Sequence, residues 1–126
     1  MAKRAADFVE EARREVPSIE VAEAAQMLHR DDVVFVDVRE TTEYQQGTIP
    51  GAVHVPRGLL EWYADPSLPV HRSELSPEKT LVVFCAAGGR SLLAAKTLRE
   101  MGYPKVVNLE GGFTAWRGAG KPVTHR

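Results

Sequence analysis

The chain has 126 residues, 44 % of them apolar and 26 % charged, with 16 basic and 17 acidic side chains and a net charge of −1. This is material for a single domain with one core, and it lacks the excess of Lys and Arg that nucleic acid or an anionic membrane selects. The longest apolar run, residues 81–87, falls far short of a bilayer span. The charged residues 1–16 lack the apolar stretch of a secretory signal, so a cytoplasmic protein is expected.

Residues 2–15 are rich in Ala, Glu and Arg, with Phe8, Val9 and Ala12 near one face, which predicts a first helix ended by Pro17. Ser18 is a good N-cap for a second helix over residues 19–29. The β-branched run 33–38 (VVFVDV) reads as a buried strand. Thr42 and Gln45 have capping-box spacing, predicting a helical turn over residues 42–46 closed by Gly47. Residues 52–55 read as a short strand and 57–63 as helical, and residues 65–79, with three prolines, as a loop.

Residues 80–84 (TLVVF) form the most apolar predicted strand. A helix over 91–101 follows, with Ala94, Thr97, Leu98 and Met101 at helical spacing and Gly102 at the C-cap position. A strand over 105–109 and a turn over 113–116 complete the chain. Short strands alternating with helices imply an α/β domain whose central sheet is mainly parallel and flanked by helices.

In such sheets ligands bind at the carboxyl ends of the strands, and the single cysteine, Cys85, lies there. One cysteine excludes an intramolecular disulfide and a thiolate-based structural zinc site. The four histidines, His29, His54, His71 and His125, have no i, i+4 pairing, so neither metal nor cofactor is expected. A lone cysteine is by default a small buried hydrophobe, but the segment Cys85-Ala86-Ala87-Gly88-Gly89-Arg90-Ser91 argues otherwise. Its small residues let successive amides turn inward, the following helix offers its positive end, and Arg90 adds a full charge. All three favour a thiolate.

This loop resembles the active-site loop of the rhodanese family, Cys-x-x-Gly-x-Arg followed by Ser or Thr. Residues 36–40 (VDVRE), with Glu43-Tyr44 and 47–56 (GTIPGAVHVP), resemble the family's N-terminal signature. Residues 108–116 (NLEGGFTAW), continuing to 120–123, resemble its C-terminal one. The resemblance spans about residues 18–123, leaving 1–17 as a helical extension and 18–126 as a rhodanese-like domain. It implies a three-layer fold and a ping-pong sulfurtransferase. Cys85 takes sulfane sulfur from a thiosulfate-like donor, and a thiol, cyanide or protein persulfide partner then exchanges with it. Cys85 and Arg90 are the implied catalytic pair. Amides of Ala86, Ala87, Gly88, Gly89 and Arg90 would hold the sulfur, and Ser91, as an N-cap, would donate to it.

Asp37 and Arg39 are expected as a salt-bridged pair supporting the loop. Arg57 and Trp62 could border the donor pocket, with core packing the alternative for Trp62. Where the family usually has His this chain has Thr48, implying altered local hydrogen bonding. Two other readings carry over: a persulfide carrier or interaction module, and a small phosphatase or arsenate reductase of the same fold. The latter enzymes use a loop one residue longer than the four residues that separate Cys85 from Arg90 here.

Overall fold

The computed structural model describes residues 2–125. Five parallel strands form one sheet in the order β1-β5-β4-β2-β3: Ser18–Ile19, Val106–Leu109, Thr80–Phe84, Val33–Asp37 and Val53–His54. The helices are α1 (Ala5–Glu15), α2 (Val21–Met27), α3 (Thr41–Gln45), α4 (Leu60–Tyr63), α5 (Gly89–Glu100) and α6 (Gly112–Gly118), with a 3-10 turn at Arg57–Leu59.

The β-branched runs become the middle of the sheet. β4 is flanked by β2 and β5, with Val83 level with Val36 and Asn108. Successive side chains of a strand point to opposite faces, and β4 shows this. Leu81, Val83 and Cys85 join a core with Ala12, Val16, Leu92 and Leu98, whereas Val82 and Phe84 join a second core with Ala24, Phe113 and Trp116. The sheet is therefore a middle layer, with α1, α4 and α5 on one face and α2 and α6 on the other. The same alternation turns the Cys85 side chain toward α5.

Three boundaries differ from expectation. Ser18 does not cap a helix: Ser18–Ile19 pairs with Asn108 and Leu109 as an edge strand, and Glu20 is the N-cap of a shorter α2. The long-range ladder outweighs a local capping preference. The capping box of α3 is built by Glu40 and Glu43, not Thr42 and Gln45. The third difference, an earlier start of α5, bears on the site. α1 packs as part of the domain, since Ala12 is fully buried and Val16 nearly so.

Candidate active site

Cys85 follows β4 at the carboxyl edge of the sheet and is 1 % exposed. The chain then turns through Ala86 and Ala87 into α5, which begins at Gly89 with Gly88 as N-cap. Gly88 has φ +131°, a conformation that side chains with a Cβ rarely adopt. Because of it the Gly88 amide turns back and donates to Cys85 Sγ at 3.1 Å. Ser91 Oγ stands 3.4 Å from the same sulfur. Of the amides expected to face the sulfur, that of Gly88 alone bonds to it among the described residues.

Ser91 is not the N-cap. It lies inside the first turn of α5, fully buried, with its hydroxyl 2.6 Å from Asn108 Oδ1 and 3.1 Å from the Gly88 carbonyl. A hydroxyl has one proton, so these two oxygens and the sulfur compete for it. Asn108 Nδ2 in turn donates to Ser18 Oγ, tying the site to the edge strand.

Arg90 does not stand free over the loop. Its guanidinium donates to both Glu43 carboxylate oxygens, at 2.8 and 3.1 Å. That pairing lowers Glu43 to about 2 from its ordinary 4.5, and it raises Arg90, with the charge at Cys85 contributing further to the rise. Glu43 and Asn108 both lie within the signature segments, yet nothing in the sequence assigns either a role. A carboxylate and an amide from distant segments carry no local signal of what they meet.

Asp37 and Arg39 form a buried bidentate pair, 2.8 Å at the closest, and Arg39 also donates to the Gly47 carbonyl at 2.6 Å. Thr48 Oγ1 donates to Asp37 at 2.8 Å. His54 bonds the Arg39 carbonyl through Nε2 at 2.8 Å and stacks on Tyr44. Arg57 pairs with Glu61 and reaches Thr97, on the flank of α5. Trp62 is neither core nor part of the loop: 55 % exposed, it lines an apolar groove with Leu59, Tyr63 and Val70. A cavity of about 490 Å3 beside Tyr44, His54, Tyr63 and Arg72 has no residue of the Cys85 loop in its wall.

The α6 N-terminus locks the loop from the other side. The Phe113 amide donates to the Cys85 carbonyl at 2.8 Å, and the Thr114 amide to the Ala86 carbonyl at 3.0 Å. The positive end of one helix thus faces the loop's carbonyls, and that of another faces its sulfur.

Fold and site together define an α/β domain with a lone thiol at the end of its middle strand, beneath a helix N-terminus. Residues 20–119 match the family model for the rhodanese-like domain, and the chain belongs to that family. It is 37 % identical over 93 residues to a sulfurtransferase of Allochromatium vinosum, covering 74 % of this chain and 79 % of that protein. It is 32 % identical over 101 residues to the thiosulfate sulfurtransferase GlpE of Pseudoalteromonas translucida, covering 80 % and 89 %. A solved structure from Rhodopseudomonas palustris, of a protein of unknown function described as a "possible tyrosine phosphatase", superposes with TM-score 0.92. It is 37 % identical and covers 98 % of this chain and 96 % of that one. Among the described residues no helix is long and apolar enough to cross a membrane.

Proposed function

We propose that the protein transfers sulfane sulfur through a persulfide on Cys85, taking it from thiosulfate or a related anionic donor and handing it to a thiophilic acceptor. The Cys85 thiolate attacks the outer sulfur of thiosulfate, the S–S bond breaks, and sulfite leaves with the bonding pair. Cyanide or a cellular thiolate then attacks that outer sulfur and returns the cysteine thiolate. The observation that carries this reading is the Gly88 amide aimed at Sγ at the start of α5, a donor placed where negative charge must reside in both states. Cys85 is 1 % exposed, so the thiol is shielded from bulk solvent. A thiol that must stay reduced to work fits a reducing compartment such as the cytoplasm.

The description attached to the Rhodopseudomonas relative sets a rival reading, phosphate-ester hydrolysis. Against it stand the four-residue spacing from Cys85 to Arg90 and the pairing of Arg90 with Glu43, whose carboxylate neutralises the charge a phosphoryl group would need. Incubation with thiosulfate is expected to add one sulfur atom to the wild type by intact mass, and none to Cys85→Ala. Equal uptake by both, or Cys85-dependent turnover of an aryl phosphate without sulfur uptake, refutes the assignment.

A further inference from the structure

Beside the Cys85 loop lies a cavity of about 190 Å3. Ala86 of the loop forms one wall, Arg39 and Glu43 another, and Phe113, Thr114 and Arg117 of α6 the third. The bond from the Thr114 amide to the Ala86 carbonyl holds α6 and the loop together, so cavity and nucleophile share one support.

The charges around this cavity do not cancel. Arg39 is neutralised by Asp37, and Glu43 by Arg90. Arg117, on the last turn of α6, has no carboxylate within ion-pair distance among the described residues. Its guanidinium sits 5.4 Å from the Phe113 ring centroid, while that of Arg39 sits 4.4 Å from the same ring. Packing against an aromatic ring restrains the long side chain while its N–H fork stays free for an oxyanion. The cavity is left with one uncompensated positive charge, next to the residue that follows the nucleophile.

We propose that Arg117 is a specificity residue that gathers small sulfonate-like anions beside the Cys85 loop, ahead of their transfer to the thiol on the loop's α5 side. The inference deepens the sulfur-transfer reading and rests on it. Arg117 selects among reagents by charge; it does not activate the thiol.

The test pairs two alkylating reagents of similar size, iodoacetate, an anion, and iodoacetamide, neutral. Each forms a C–S bond at Cys85 with loss of iodide. The ratio of their rates reports anion selection independently of sulfur chemistry. In Arg117→Ala and Arg117→Gln the iodoacetate-to-iodoacetamide ratio is expected to fall about threefold to fivefold, the scale of one partly solvated ion pair. Arg99→Ala, an equal loss of charge at an exposed position on α5, serves as the control and keeps the wild-type ratio. The KM for thiosulfate rises by a similar factor in the Arg117 variants, and Arg117→Lys recovers most of both effects. A ratio in Arg117→Ala and Arg117→Gln equal to that of the control refutes the role of Arg117. Wild type that takes up no sulfur from thiosulfate refutes the underlying reading instead.

Discussion

Arg90, five residues after Cys85, and Glu43, from the helix that follows β2, are joined by two N–H···O bonds of 2.8 and 3.1 Å. The loop's arginine is therefore held by a carboxylate. A paired guanidinium gives the loop a fixed shape and a muted field.

Glu43→Gln removes the charge and keeps the shape. Glu43 titrates near 2 in the folded chain against an ordinary 4.5, so its contribution to stability is complete above about pH 4.5 and is lost as pH falls toward 2. Since both side chains are more than a third exposed or close to it, solvent screening reduces the contribution to about 1 kcal/mol. Urea denaturation is expected to show Glu43→Gln less stable by that amount at pH 7, and the gap should narrow by pH 3. A gap that stays constant with pH removes the ion pair as its cause.

Ser91→Ala tests the shared proton. The substitution leaves the buried Asn108 Oδ1 without its 2.6 Å donor, a loss of about 1–3 kcal/mol. It also removes the hydroxyl beside Sγ, so sulfur uptake from thiosulfate should slow more than the stability loss explains. Asn108→Ala breaks the same hydrogen bond without touching the sulfur, and it should lower the melting temperature with less effect on uptake. If both variants slow uptake equally, Ser91 acts only as a support.

Much of this was legible because it is local. VVFVD and TLVVF have the β-branched density of buried strands, and both form β2 and β4. Cys85 falls at the sheet's carboxyl edge because TLVVF ends there. Other features depend on partners far along the chain. Ser18 has the chemistry of a cap, yet its place is set by β5, about ninety residues away. α5 starts at Gly89 rather than Ser91 because a glycine pair looks like loop until its conformation is known. Trp62 reads equally as pocket border or as core, and it stands exposed, since its four-residue helix buries Leu60 instead. Glu43 and Asn108 became part of the site only when the sheet brought them to the loop.

Arg39→Ala leaves Asp37, which is fully buried, without its charged partner and frees the Gly47 carbonyl. Breaking one side of such a pair costs about 3–5 kcal/mol. Asp37 would keep only the Thr48 hydroxyl and the residue 39 amide. The double variant Asp37→Asn, Arg39→Met, with no stranded charge, should recover part of that loss in thermal denaturation. A double variant no more stable than Arg39→Ala would show that the guanidinium's packing over Phe113, at 4.4 Å, matters more than its charge.

Gly112→Ala is the most demanding substitution of the site. Gly112 opens α6 with φ +60°, and a Cβ there would collide with the carbonyl oxygen of Cys85 and come within 2.7 Å of that of Ala86. Both obstacles are backbone, and both carbonyls are already held by the Phe113 and Thr114 amides, so neither can swing aside without breaking a bond. Strain and overpacking together set the loss of stability at about 3 kcal/mol. Gly111→Ala serves as the comparison, because its added Cβ would meet the Ala115 side chain rather than the loop. Both variants should melt earlier than wild type, but only Gly112→Ala should show sulfur uptake reduced out of proportion to the folded fraction. Equal specific uptake per folded molecule in the two variants would mean that the position of the Cys85 carbonyl does not govern the geometry of the sulfur.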